Sequence, residues 1–586
     1  MKGCVLFVVL MLAGLSSMLP AWAFESPEWV VDPAAPGDHL PPVGVSLFDA
    51  LFAGTRDGRV THMLPFPFEK LLARVDAQLL GDPASLLPPA KRVLIPLGRS
   101  LQRTAAAPDY FRFPRVVVGV DSPPAPGALL LKDRLFVAYQ EKSAVLEVIS
   151  YNEAAGRFEF QLVKDYRAGG NPQVFYANRT ICFACHQNGA PIFSRALWDE
   201  TNANPLVAAT LTQAGRSFYG IPVGRGVDVP YAIDNAVRRA NRFALTQRLW
   251  REGCGGGEAG ARCRGGLFEA ALRLRLDDGR APPPDAAFEA AVARPLRASA
   301  ARLWPAGLAI GRPDLPNRNP LQGLARWPDG PAEGVARSHV AARFDALLPR
   351  MPDTVWQGEA PDAVAEVVAG VAEFVADGDW PHLKAALARR PRGLARAMAV
   401  VVASPAGQSL LADQPIPRAG LIAALFTALG EAPRKSSPTV LPPARLELPA
   451  SPPNSTAGAP LPAALAGFHA WCAACHLSAE HFPPNFLYGP AAGLEARIRQ
   501  CAPRIYVRLT MARRTPAGRD KTPMPPETML PAFHTHAAAW AASPERAALE
   551  GAVAAMLKAE SGREPDPDVL LAGGYEALRP CLAADR

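Results

Sequence analysis

TICFACHQNG (180–189) places Cys182, Cys185 and His186 within five positions. A zinc site, a redox dithiol and a covalently held haem all use Cys-x-x-Cys. They differ in what stands beside the pair and in the compartment where the protein works. Much further along, FHAWCAACHLSAEHFPP (468–484) repeats the same pentapeptide with Cys472, Cys475 and His476.

The repetition and the adjacent histidines select among these chemistries. In c-type haem attachment, two thiols add across the two vinyl groups of one porphyrin, and the following histidine ligates the iron. Two intervening residues let both sulfurs and the imidazole reach their targets from a single helical turn. Cys182 and Cys185 are therefore expected to hold one haem with His186 proximal. Cys472, Cys475 and His476 are expected to do the same for a second. Zinc normally takes four ligands, whereas these pairs start 290 positions apart and each has its own histidine. A thioredoxin-like pair belongs in a βαβ context, and no such context is visible here.

The opening residues bear on the compartment. MKGCVLFVVLMLAGLSSMLPAWA (1–23) has one basic residue, an apolar run and a small-x-small end. This reads as a cleavable export signal with a mature start at Phe24, and the expected location is periplasmic. The rest of the chain shows no stretch long and apolar enough to span a bilayer. Nine cysteines occur, and Cys4 leaves with the signal. Outside the two motifs, Cys254, Cys263, Cys501 and Cys581 remain. An even number in an oxidising compartment favours disulfides, Cys254 with Cys263 across a glycine-rich loop and Cys501 with Cys581 near the end. The net charge of +8 comes without a basic run. With export expected, it reads as a solubility and docking feature, and nucleic acid is not an expected partner.

The length implies several domains, since a chain of this size exceeds what one core usually serves. Residues 24–165 are expected to form an N-terminal domain. Within it FEKLLARVDAQLL (68–80) has helical spacing, whereas FPRVVVGV, RLFVAYQ, AVLEVISYN and RFEFQLVKDY read as antiparallel strands with a hairpin at 152–156. Residues 166–431 carry the first motif and a mostly helical region rich in Ala, Leu and Arg. Residues 432–462 form a proline-rich linker. Residues 463–586 form a compact final domain. The expected fold is mainly α, with an antiparallel β portion in the N-terminal third and a small all-α domain at the C-terminus.

That final domain carries a further signal. In RDKTPMPPETM, Met524 lies 48 residues after His476 and is flanked by Pro523 and Pro525. A thioether on a stiff loop suits the second axial position of a haem. Residues 471–527 resemble a class I cytochrome c domain, with the pentapeptide near the start and a Met-Pro-Pro loop at Met524. The resemblance implies a small helical fold around one low-spin haem with His476 and Met524 as iron ligands. Met511 and Met529 compete for the role of Met524. His469, His481, His534 and His536 would instead make the site bis-histidine.

The first motif lacks such a loop. Met351, His339, His62 and Met63 are the candidates for its sixth ligand, and an open position is the alternative. Gln187, Asp199 and Glu200 follow it closely and carry no assigned catalytic role. The reading with fewest unseen features is an exported dihaem c-type cytochrome that transfers electrons to or from a redox partner. The runner-up is a peroxidase or oxygenase with an open first haem. It rests on a loose similarity to the bacterial dihaem peroxidases, whose simple tandem the long helical insert does not match. A third reading makes the β region a docking surface of a redox sensor, recognisable by an exposed apolar patch rather than a sheet packed against the first motif.

Overall fold

A computed structural model describes residues 26–32, 46–57, 59–82, 84, 87–98, 100, 105–106, 108–194, 200–224, 228–277, 285–315, 347–390, 393–432, 463–477 and 483–582. The export signal expected at 1–23 and nearly all of the proline-rich linker lie outside these residues.

The N-terminal third is built on a six-stranded antiparallel sheet in sequence order: β1 (Ala90–Ile95), β2 (Arg115–Val120), β3 (Leu135–Gln140), β4 (Val145–Asn152), β5 (Arg157–Lys164) and β6 (Gln173–Tyr176). The four β-branched and aromatic runs expected as strands are β2 to β5. The β4–β5 hairpin turns where expected, with the Ala155 N–H donating to Asn152 Oδ1 at 3.1 Å and Gly156 at a φ of 64°. Two strands of this sheet were not foreseen, nor were the short strands outside it. AKRVLI has charges among its apolar residues, and QVFY is too short for alternation to register.

Helices cover the sheet. Helix α1 (Leu47–Phe52) starts with a capping box at Ser46 and packs on β4. Helix α2 (Phe68–Asp76) occupies the stretch expected to be helical. Helix α3 (Arg179–Phe183), capped by Asn178, carries the start of the first motif. Helix α4 (Asp228–Arg248) sets Phe243 against Phe158 and Tyr151 of the sheet. Further helices, among them α5 (Gly257–Leu276) and α6 (Ala363–Ala372), extend this layer. One apolar core runs from Val30 to Leu429. It crosses the boundary expected at 165/166, because the helices that follow the sheet, α4 among them, pack on it together with α1 and α2.

The region 463–582 is helical, with α7 (Ala463–His476), α8 (Leu494–Thr510) and α9 (Pro544–Ser561) around their own core of Leu465, Phe468, Ile498, Tyr506, Trp540 and Val553. Gly467 lets α7 approach Leu549 of α9. The protein is thus mainly helical, with the antiparallel sheet in its N-terminal third and a mostly helical C-terminal region. No helix among the described residues is long and apolar enough to cross a membrane.

Both expected disulfides are present, Cys254–Cys263 and Cys501–Cys581. Cys182, Cys185, Cys472 and Cys475 are not disulfide-bonded.

Candidate functional site

The first motif sits where β6 leaves the sheet. Asn178 accepts from the Thr180 N–H at 2.9 Å and starts a helical turn, in which the Cys185 and His186 N–H groups both donate to the Cys182 carbonyl. One turn therefore carries all three groups on adjoining positions. The chain then reverses at Gly189, whose φ is 60° and whose missing side chain leaves room for Phe183, which a Cβ would meet at 2.7 Å. Beyond the turn, Asn188 is buried and exchanges hydrogen bonds with the Gly311 backbone.

The turn also orients the imidazole. His186 Nδ1 lies 2.9 Å from the Ala190 carbonyl. A carbonyl only accepts, so Nδ1 carries the hydrogen and Nε2 keeps its lone pair. The second motif repeats the device with different residues: His476 Nδ1 donates to the Pro484 carbonyl at 2.7 Å. Each ring has a phenylalanine against it, Phe160 at 5.2 Å from His186 and Phe486 at 4.5 Å from His476. Both histidines keep part of their surface in solvent, yet burial of each ring pushes its pKa down to about 4. The Ala190 and Pro484 hydrogen bonds oppose that shift, and the Arg350 and Arg508 charges add to it. Both are neutral at neutral pH, the form that ligates a metal.

The thiols shift the other way. Burial pushes Cys182 and Cys472 up to about 12 and Cys475 to about 11. A redox dithiol needs a lowered thiol pKa, so this environment does not suit one. Among the described residues no three His, Cys, Asp or Glu side chains gather as a metal-holding cluster. Each motif remains its own Cys-Cys-His unit.

Although far apart in sequence, the motifs touch. Helices α3 and α7 pack together, and Asn178 Nδ2 donates to the Ala474 carbonyl, between Cys472 and Cys475, at 3.1 Å. Met529 of the C-terminal unit is buried in a cluster with Phe160, Phe183 and Ala184, against which Cys182 packs. The sheet thus walls the first motif through Phe160 and Ile149 rather than offering it a free apolar face.

The remaining candidates separate clearly. Met524 is half-buried on a loop pinned at both backbone atoms: its N–H donates to the Arg508 carbonyl, and its own carbonyl accepts from Trp540 Nε1 at 3.3 Å. Trp540 packs on Trp471, the residue before Cys472, with the ring centroids 4.3 Å apart and the planes tilted by 36°. Met511 is buried with Val507 and Leu578, and Met529 packs on the first motif. His469, His534 and His536 are exposed, and His481 lies outside the described residues. For the first motif, His62 is engaged elsewhere. Its Nε2 is 2.7 Å from buried Asp49, which also accepts from Gln161 and Tyr176. Gln161 follows Phe160 on β5, so alternation places the Asp49 group on the face of the sheet opposite His186. Met63 is exposed over Gly54, and Met351 is 79% exposed. His339 and Asp199 lie outside the described residues, and Glu200 is buried. Gln187 clamps a distant segment, with Nε2 donating to the Leu348 carbonyl and Oε1 accepting from the Arg350 N–H.

Sequence reasoning missed Trp540, Arg350 and Asn178, which act through backbone atoms of partners remote in sequence. The residue types present suit a covalent haem at each motif: two cysteines outside any disulfide and a neutral imidazole held through Nδ1. No protein-family model, curated protein or solved structure matches this chain.

Proposed function

We propose that the chain is an exported dihaem c-type cytochrome that moves electrons between two covalently attached haems and a redox partner. Cys182, Cys185 and His186 hold haem 1. Cys472, Cys475 and His476 hold haem 2 in a cytochrome c-like domain, with Met524 as its second iron ligand. The observation that carries this reading is the contact between the two motifs, Asn178 on Ala474, reinforced by Met529 packed on Phe183. Two separate Cys-x-x-Cys-His units have no evident reason to abut unless something passes between them.

A c-type haem supplies a one-electron iron couple. The chain supplies the rest. Ala190 and Pro484 orient the two imidazoles, so that Nε2 of each is presented. Phe160 and Phe486 cover the rings and limit water. Arg508 and Trp540 hold the Met524 loop by its backbone, leaving the thioether free. Two disulfides, and an opening stretch that reads as an export signal, support a periplasmic location.

A second reading, a peroxidase or oxygenase with an accessible iron at haem 1, draws on one observation. His62, a candidate to cap that iron, is bound to Asp49 across the sheet from His186. An absorption spectrum of the exported protein, oxidised and reduced, with and without carbon monoxide, tests both. Two haems that are low-spin and ignore carbon monoxide support electron transfer. One reduced haem that takes up carbon monoxide supports the enzyme. A protein without haem absorbance overturns both.

A further inference from the structure

We propose that the cavity at the open edge of β1 binds a small acylated amino acid through its carboxylate, its amide and an aliphatic side chain. None of the cavity's walls comes from either Cys-x-x-Cys-His motif, so the inference stands apart from the haem reading.

The cavity has a volume of about 380 Å³ and is partly open to solvent. That size suits a small-molecule site. Leu87, Pro88, Ile221, Pro222 and Val229 give it apolar walls, and its charged members are Lys91 and Arg92. No Asp or Glu among the described residues lines it. Strand β1 is an edge of the six-stranded sheet. Successive side chains of a strand point to opposite faces, so a cavity lined by both Lys91 and Arg92 wraps the edge between them.

That edge is closed on either side of Arg92. The Leu94 N–H donates to Asn202 Oδ1 at 2.9 Å, and the Leu94 carbonyl accepts from the Asn202 N–H at 3.0 Å. Both Leu94 main-chain groups thus point away from β2, and the antiparallel ladder turns those of Arg92, two residues earlier, the same way. At the other end the Ala90 N–H donates to Asp76 Oδ1 at 3.1 Å. Between these two anchors, no hydrogen bond from the described residues reaches the outward N–H and carbonyl of Arg92. Asn202 also fixes the facing wall, because its Nδ2 donates to the Pro222 and Val223 carbonyls.

One residue's length of open edge is too short for a second strand and fits a single amino acid. Paired as an antiparallel neighbour, the ligand accepts the Arg92 N–H on its carboxylate and donates its amide N–H to the Arg92 carbonyl. Charge favours a carboxylate there. Lys91 directs one ammonium hydrogen to the Pro88 carbonyl at 3.2 Å, and its ion pair with Asp121 is a loose 3.7 Å. Arg92 pairs with Asp76 through Nη2, while its Nε is buried without a hydrogen-bond partner. A free amino group would meet these two cations, and an acyl group on that nitrogen removes its charge. The aliphatic side chain takes the wall formed by Ile221 and Val229.

The test is titration calorimetry on the full-length protein at low salt with N-acetyl-leucine. Two analogues isolate its parts: N-acetyl-leucinamide lacks the charge, and isocaproate lacks the amide. Lys91→Gln and Lys91→Arg are titrated alongside, and hydrogen exchange is followed in the peptide that contains Arg92. In the expected result, N-acetyl-leucine binds at one site and slows exchange around Arg92. Each analogue, and Lys91→Gln with N-acetyl-leucine, binds roughly tenfold more weakly, and Lys91→Arg restores most of the loss. No heat and no protection at millimolar N-acetyl-leucine overturn the proposal. Equal binding to the wild type and Lys91→Gln, or unchanged exchange around Arg92, puts the ligand elsewhere and overturns it too. Isocaproate bound as tightly as N-acetyl-leucine overturns the pairing with the strand edge, and N-acetyl-leucinamide bound as tightly overturns the carboxylate. Should Lys91→Gln not fold, the two analogues and the exchange around Arg92 in the wild type decide.

Discussion

Asn178 bridges the two motifs. Its side-chain oxygen caps the first motif helix by accepting from Thr180, and its amide nitrogen donates to the carbonyl of Ala474, a residue 296 positions away. One side chain thus starts the turn that carries Cys182 and meets the turn that carries Cys475. Replacing it with alanine removes both bonds. The loss of the cap alone is expected to cost about 1 kcal/mol. Flash-induced injection of an electron into one haem, with re-equilibration followed at the other, is expected to slow severalfold in Asn178→Ala while both haem spectra stay as they are. An unchanged rate would show that electrons do not use this contact.

On the proposed dihaem reading, haem content distinguishes the two motifs. Cys182→Ala with Cys185→Ala, or Cys472→Ala with Cys475→Ala, is expected to leave one covalent haem per chain instead of two, read from the haem stain of a denaturing gel and from the ratio of haem to protein. Loss of both haems from either double variant would mean that the sites do not form independently.

Met524 and Met529 stand five residues apart with different surroundings. Met524 lies on the loop pinned by Arg508 and Trp540, whereas Met529 is 1% exposed against Phe160 and Phe183. Met524→Ala is expected to change the spectrum of haem 2 and lower its potential, since thioether ligation raises it. Met529→Ala is expected to leave that spectrum alone and to cost about 2–5 kcal/mol by opening a cavity. Trp540→Phe keeps an aromatic ring against Trp471 but removes the donor to the Met524 carbonyl, so on the proposed reading a weaker axial bond at haem 2 is the expected readout. The opposite pattern for the two methionines would exchange their roles.

The two disulfides close loops of very different size, with sequence separations of 9 for Cys254–Cys263 and 80 for Cys501–Cys581. Loop-closure entropy assigns about 2.6 kcal/mol to the shorter and about 4.5 kcal/mol to the longer. Denaturant titration of the paired alanine variants is expected to show the larger loss for Cys501→Ala with Cys581→Ala. Equal losses would point to strain or denatured-state effects rather than entropy.

Asp379 is buried, with Oδ1 lacking a partner. Burial raises its pKa from the ordinary 3.8 to about 6, against the opposing charges of Arg418 and Arg275. The raised folded pKa means that the unfolded chain gives up the proton first. Stability therefore falls as pH rises from about 4 to 6, and the deficit persists above that range. Asp379→Asn is expected to stabilise the protein at pH 7 by up to about 3 kcal/mol, with the gain vanishing below pH 4. Chemical denaturation at the two pH values checks it, and an Asn variant less stable at pH 7 would contradict the assignment.

Legibility in the sequence followed the range of the interaction. Strands β2 to β5 were readable because β-branched and aromatic runs between turn residues favour extended backbone locally. The hairpin at Asn152 and Gly156 was readable because its turn chemistry lies within five residues. Strand β1 was not, since AKRVLI is a strand by virtue of pairing with β2 rather than by its own pattern. The division expected at residue 165 looked natural where strands give way to helices. The core nevertheless runs through it, because Phe158 and Tyr151 have Phe243 and Phe374 as their cover.

By itself, the sequence determined what depends on neighbours along the chain: two Cys-x-x-Cys-His units, each compact enough for one helical turn, and the parity of the remaining four cysteines, which pair as their positions suggested. Only the tertiary structure decided what those units face. It set Ala474 against Asn178 and put Met529 rather than Met351 at the first motif. It tied His62 to Asp49 on the far side of the sheet and buried Arg350 beside Cys185. These contacts join residues far apart in the chain. They arise from how whole layers pack, and no local pattern of residues encodes them.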